Sequence, residues 1–231
     1  MITIRKSQDR GRSQFSWLNS YHTFSFANYY DPQFMGFGHL RVINEDTVAP
    51  GYGFGKHPHH NMEIISYVVS GALEHKDSMG NGSVIKPGEI QKMSAGTGIE
   101  HSEYNPSTTE PLHFLQIWII PAKQQLPPDY SQKVINKEAN KLLLIGSPEE
   151  TKHAIKINQN INFFAAYLNA NHTIKHNFSS NRIGWLQLIK GKITLNNELL
   201  NLGDGAAIFK EDSITITCLE EAELLLFDLE A

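Results

Sequence analysis

Hydrophobic and polar positions along this chain alternate in short stretches, and helical spacing is weak almost everywhere. Thr23 to Ala27 puts Phe24 and Phe26 on one face and Ser25 on the other, the period of two expected of a strand. Gly36 to Ile43 predicts another strand, ending at Asn44-Glu45-Asp46. Ile64 to Val69 is a β-branched and aromatic run stopped by Ser70-Gly71, and Ala72 to Asp77 can return antiparallel. Met79-Gly80-Asn81-Gly82 and Pro87-Gly88-Glu89 are turns, Ile90 to Met93 resumes a strand, and mostly apolar Leu112 to Ile120 closes the first set. Short strands at this turn spacing predict an all-β sandwich or barrel.

Pro121 to Lys141 changes character: it holds Pro127-Pro128, several glutamines and lysines, and little that is apolar. It is the expected interdomain connection, dividing the chain into 1–130 and 131–231. The second half repeats the first weakly. Trp185 to Gly191 parallels Ile65 to Gly71 in strand type and closing glycine, and Leu202-Gly203-Asp204-Gly205 parallels Pro87-Gly88-Glu89.

Composition narrows the functional classes. The chain has 231 residues, 40% apolar and 19% charged, as in ordinary globular proteins. A net charge of -4 leaves no electrostatic footprint for direct nucleic-acid binding. The basic cluster Arg5, Lys6, Arg10 and Arg12 is expected to be solvated surface. The single cysteine, Cys218, excludes an internal disulfide or a thiolate metal cage; a buried, inert thiol in a reducing, cytoplasmic compartment is expected. Met1 to Phe15 lacks the apolar core of a secretory signal, and no apolar run is long enough to span a bilayer.

The candidate chemistry lies between Gly51 and Asn105. In a strand, residues i and i+2 share a face, so His57-Pro58-His59 and His101-Ser102-Glu103 each aim two groups to one side. If the two strands meet, three imidazoles and a carboxylate converge, a nitrogen and oxygen set suited to a divalent transition metal. Gly51, five residues, His57-x-His59, three residues and Glu63 follow the first motif of the cupin barrels; Pro87-Gly88, His101 and Asn105 suggest the second. Gly71 falls one residue later than that pattern has it. His22-Thr23-Phe24-Ser25-Phe26-Ala27-Asn28-Tyr29-Tyr30-Asp31-Pro32 and Met93 to Glu103 resemble the pirin family, within it the bacterial members described as quercetin 2,3-dioxygenases.

The resemblance implies a bicupin of two antiparallel β-barrels. Aligned on their glycines, the second barrel has Asn177 and Ser179 where the first has His57 and His59, and Ile216 and Cys218 near His101 and Glu103, so the metal belongs to the first barrel alone. It also implies His57, His59, His101 and Glu103 as ligands; Glu63 then holds an imidazole tautomer or, as the first-motif glutamate does in some cupins, binds the metal itself. Without a thiolate, an open redox site is favoured over closed structural zinc, with Fe(II) as first choice and nickel, manganese, zinc, cobalt or copper as alternatives. The implied substrates are a flavonol and O2, with Glu103 doubling as ligand and proton acceptor. Pirins are also described as metal-redox-responsive regulators acting through protein contacts, which implies a protein partner instead. His60 should face away from the metal. His22, Phe24, Phe26, Tyr29 and Tyr30 either line a cavity or pack as core, and His39, His75, His113, His153, His172 and His176 are expected to be structural.

Overall fold

The computed structural model describes every residue from Met1 to Ala231. It is all-β, with one short 3-10 turn at Ser7–Asp9, and no helix is long and apolar enough to cross a membrane. In chain order the strands are β1 (Ile2–Arg5), β2 (Gly11–Gln14), β3 (Leu18–His22), β4 (Leu40–Val48), β5 (Gly53–His59), β6 (Glu63–Ser70) and β7 (Leu73–Asp77). Then come β8 (Gly82–Ile85), β9 (Glu89–Ser94), β10 (Ile99–Tyr104), β11 (Leu112–Ile119), β12 (Asp129–Val134) and β13 (Leu142–Ser147). The last are β14 (Ile155–Lys156), β15 (Ile161–Leu168), β16 (Thr173–Asn177), β17 (Arg182–Leu195), β18 (Glu198–Asn201), β19 (Gly205–Ile208) and β20 (Ser213–Glu230).

Two compact units form, and they do not follow the continuous ranges 1–130 and 131–231. One comprises Gly11–Ile135 with Ile157–Gln159; the other takes Met1–Arg10 with Asn136–Lys156 and Asn160–Ala231. The reason is strand pairing: β1 lies antiparallel to β19, with Ile4 opposite Ala206, and β12 lies antiparallel to β9 inside the supposed connection. The basic N-terminus is solvated surface only in part: Arg12 is exposed, the other three are not. Arg5 and Arg10 are buried, Arg10 binds Ser7, and Lys6 Nζ lies 3.1 Å from Asp204 Oδ2.

The unit built on Gly11–Ile135 has a seven-stranded sheet, β12-β9-β6-β11-β4-β3-β2, and a four-stranded sheet, β5-β10-β7-β8. Neither closes on itself, so the expected barrel is an open pair of sheets in the jelly-roll manner of a cupin. Across the larger sheet a polar residue from each of six strands stands in register: His22 opposite Asn44, Asn44 opposite Gln116, Gln116 opposite Ser66, Ser66 opposite Gln91, and Gln91 opposite Gln132. Directly paired residues share a face. This band runs between two apolar clusters, one with Val48, Val68, Leu112 and Phe114, the other with Ile64, Met93, Ala95 and Ile99. Burying each such side chain stabilises by about 1.5–3 kcal/mol, while a buried polar group costs free energy unless it is paired. The band therefore marks where the sheet does something other than pack.

Two strand expectations change here. Thr23 to Ala27 is not a strand: β3 ends at His22, Ala27 takes φ 49°, and Phe26 and Tyr29 bridge as a tight turn. Asn44-Glu45-Asp46 is no strand end, because β4 runs through it to Val48.

In the other unit a nine-stranded sheet has the path β1-β19-β17-β20-β15-β13-β14, with β16 on β20 and β18 on β17. Its apolar cluster contains Leu186, Leu188, Ile193, Leu224, Leu226, and also Ile216 and Cys218. Gly191 has φ +83° and Gly71 φ +79°, a left-handed conformation that glycine adopts without steric cost.

Candidate metal centre

Strands β5 and β10 pair antiparallel, which sets His57 directly opposite His101 and His59 opposite Ile99. Their alternation carries His57, His59 and His101 to one side, where ring centroids are 4.5 Å apart for His57–His101, 4.7 Å for His57–His59 and 4.9 Å for His59–His101. One ring nitrogen from each lies within 4.8 Å of the other two. His57 Nδ1–H donates to the Gly55 carbonyl at 2.7 Å, so Nε2 is the ring nitrogen that remains for its neighbours. That Nε2 stands 3.1 Å from His101 Nε2, and the buried His59 Nε2 has no partner. Burial, then the neighbouring His57 and His60, holds His59 down to about 4; burial, then His57, His59 and His75, holds His101 down to about 2. Both rings are thus neutral near pH 7, the form that ligates metal. Two nitrogens facing each other can share one proton, and none reaches the third. A bound cation satisfies all three at once, so the donor set fits a divalent metal.

Glu103 is on the same strand as His101, with a bulge between the two. Its carboxylate groups with His101 and His75, not with the three-imidazole set. Ser66 donates to Oε1 at 2.8 Å and Gln116 Nε2 donates to Oε2 at 2.7 Å, both from the polar band. Burial pushes the Glu103 carboxyl up, against the opposing pull of Ser66, His75, His57 and Gln116. The structure thus brings the three histidines together and places Glu103 beside one of them.

His75, expected to be structural, belongs to this neighbourhood. It sits on β7 directly opposite Glu103, is fully buried, and lies 3.2 Å through Nε2 from Asp77 Oδ2. Its Nδ1 has no partner. A signal was present in the sequence: His75-x-Asp77 has the same i, i+2 parity as His101-x-Glu103.

Glu63 does not hold an imidazole. Asn61 takes φ 49° and turns the chain out of β5, so Glu63 starts β6 in the other sheet, and by alternation it faces away from Ser66. There it accepts from Ser94 Oγ at 3.0 Å and from Asn158, with Lys92 Nζ 3.8 Å away. His60 is exposed, over Gly98.

A cavity of about 480 Å³ opens onto His57 and His59. Trp17, Phe26, Phe54 and Trp118 give it aromatic walls, and Ser20, His22, Asn44, Asp46 and Gln116 give it a polar one. Of the aromatic stretch after β3, His22 and Phe26 line this cavity; Phe24 is core and Tyr30 is exposed. The edge of the Trp118 ring meets His59 at 5.0 Å between centroids.

Residues 4–119, half of the chain, match the family model described as Pirin. The chain belongs to the pirin family. Residues 144–229 of this pirin match the model described as a quercetinase C-terminal cupin domain. The pirin is 47% identical over 229 residues to the quercetin 2,3-dioxygenase of Escherichia coli (strain K12), covering 99% of each chain. It is 41% identical over 233 residues to the pirin-like protein of Caulobacter vibrioides, again covering 99% of each. Among solved structures it is similar to the bacterial pirin YhhW from Escherichia coli in complex with nickel(II), with a TM-score of 0.95 and 46% identity over 100% of this chain and 99% of that one.

Proposed function

We propose that this pirin is a metal-dependent oxidoreductase that opens the central ring of flavonols such as quercetin with dioxygen, releasing carbon monoxide. The observation that carries the proposal is the set of three imidazoles, one nitrogen of each within 4.8 Å of the others, with His57 and His59 opening onto an aromatic-walled cavity. His57, His59 and His101 would hold the ion, and Glu103, beside His101, is assigned as the remaining protein ligand, since each of its oxygens keeps a second lone pair. When bound, a divalent metal supplies Lewis acidity to an enol oxygen and a redox partner for dioxygen. Fe(II) is the ion assigned; nickel, manganese, zinc, cobalt and copper compete by availability. The second barrel, with Ile216 and Cys218 in its apolar core, is assigned no metal.

The protein's own contributions are positioning and proton transfer. Trp17, Phe54 and Trp118 orient a planar ring and keep water from its face. Glu103 takes the proton of the flavonol 3-hydroxyl onto a carboxylate oxygen; burial, by pushing its pKa up, makes it a stronger base than an exposed carboxylate. Ser66 and Gln116 hold that carboxylate in place before and after the transfer.

The test is elemental analysis of protein purified without chelator or a histidine tag, followed by oxygen uptake after anaerobic Fe(II) reconstitution, with and without quercetin. Oxygen consumed in step with flavonol loss is expected. Stoichiometric metal without oxygen consumption, together with a protein partner bound in one oxidation state only, would replace catalysis by the regulatory role.

A further inference from the structure

The cavity onto which His57 and His59 open is also lined by a carboxyl, Asp46, that the proposed chemistry does not use. Asp46 sits on β4, directly opposite Ser20 of β3 and Phe114 of β11, on the face that carries the polar band. It lines the cavity wall, is only 2% exposed, and its Oδ1 has no hydrogen-bond partner. Such a buried, unpaired oxygen costs free energy that a ligand hydroxyl would recover. Burial pushes the carboxyl up to about 7, aided by Glu103 and Glu45 and opposed by Ser20 and His113. Near neutrality, Asp46 is therefore present in substantial part as a neutral acid, able both to donate and to accept, as a phenol does. Its neighbours are already committed: His22 pairs with Asn44 at 2.8 Å and with Ser13 at 2.9 Å, and Gln116 with Glu103. Among these groups Asp46 has the open acceptor.

We propose that Asp46 recognises a phenolic hydroxyl of the substrate other than the metal-binding enol, so that the cavity selects polyhydroxylated planar aromatics over unsubstituted ones. This rests on the flavonol reading and extends it: the metal end of the cavity would take the 3-hydroxyl and 4-carbonyl, the aromatic walls the ring faces, and Asp46 a further hydroxyl. A site built to bond a hydroxyl rejects the analogue lacking it, because the buried partner is then left unpaired.

The experiment compares quercetin with 3-hydroxyflavone, which keeps the enol and carbonyl but lacks the other hydroxyls. Affinity is read by quenching of tryptophan fluorescence, since Trp17 and Trp118 line the cavity, with metal content measured in parallel. The wild type is expected to prefer quercetin by roughly tenfold or more, the scale of one buried hydrogen bond. Asp46→Val is expected to reduce that preference to about twofold, with 3-hydroxyflavone affinity and metal content unchanged. Asp46→Asn, which keeps an acceptor oxygen, is expected to retain the preference; should the valine variant not fold, Asp46→Ala serves in its place. Undiminished preference in the apolar variant overturns the role of Asp46 alone, as does equal weakening of both flavonols, which would mark a structural role. If neither flavonol binds the metal-loaded wild type, the flavonol reading fails and this assignment falls with it.

Discussion

Ser66 and Gln116 stand directly opposite each other on β6 and β11, and each donates to a different oxygen of Glu103 on the facing sheet. The carboxylate assigned the proton transfer in the proposed reaction is thus oriented by neutral donors from both neighbours. Trp118 Nε1 in turn donates to Gln116 Oε1 at 3.2 Å, which settles which way the Gln116 amide points.

Removing that grip should cost turnover more than folding. Gln116→Leu leaves one buried oxygen of Glu103 unpaired, and loss of such an outer partner typically costs about 10–100-fold in activity or metal affinity. The expected result is a kcat at least tenfold lower in a protein that still melts cooperatively, read by steady-state oxygen uptake and calorimetry. An unchanged kcat would show that the orientation of Glu103 does not limit the reaction.

Glu103→Gln separates binding from proton transfer. An amide cannot take the 3-hydroxyl proton, and its NH2 would face one of the two donors, so one hydrogen bond is lost. Metal content is expected to fall only in part while turnover disappears. Full activity in that variant would end the assignment of Glu103 as base.

Metal removal should be visible as lost stability. A ligand that binds only the folded chain stabilises it by about 2.7 kcal/mol at a free concentration one hundred times its Kd. Stripping with a chelator is therefore expected to lower Tm, and readdition of Fe(II) or Ni(II) to restore it. His59→Ala, which removes one of the three clustered imidazoles, a ring whose Nε2 has no partner, should melt at the same temperature with and without metal. A metal-dependent Tm in that variant would mean the ion sits elsewhere.

Asp46 gives stability a pH dependence of known sign. Its carboxyl is raised from 3.8 to about 7 in the folded chain, chiefly by burial, so between these values the folded state keeps a proton that the unfolded state has released. Its contribution is fully present below about pH 4 and is lost as pH rises through 7. Asp46→Asn cannot ionise and escapes that loss. The stability of the variant relative to wild type should rise between pH 4 and pH 8 by on the order of a few kcal/mol, measured by urea unfolding. A difference independent of pH would place the carboxyl in a less buried setting.

Gly71, just after β6, and Gly191, within β17, should behave alike. A Cβ on Gly71 would come 2.6 Å from the Pro111 carbonyl oxygen, and one on Gly191 would come 2.1 Å from that of Glu221, both at positive φ. Alanine at either is expected to destabilise by about 1–3 kcal/mol in urea titration, without loss of metal from the Gly191 variant.

Much of this was legible in the residues themselves. The i, i+2 parity of His57-x-His59 marked two imidazoles on one face, and Ser70-Gly71 marked the end of β6. Gly191, expected to close a strand in the same way, lies within β17 at an irregularity of its pairing with β20. What misled was polarity. Asn44-Glu45-Asp46 has the composition of a turn, yet it is the middle of β4, because Asn44 and Asp46 point into the cavity, where polar groups are wanted. Gln132 and its flanking residues likewise resemble linker, and they form the edge strand β12.

The chain alone determined the strand-rich class and the i, i+2 pairs of candidate ligands, since these depend on the period of two and on residues two apart. Only the tertiary structure decided that β1 joins β19, that Glu63 turns its back on the imidazoles, that His75 and Asp46 enter the neighbourhood, and that six separate strands contribute one polar band. Each of those facts depends on register between segments distant along the chain. A shift of one residue in any pairing exchanges the two faces, so local patterning cannot settle which polar side chains meet.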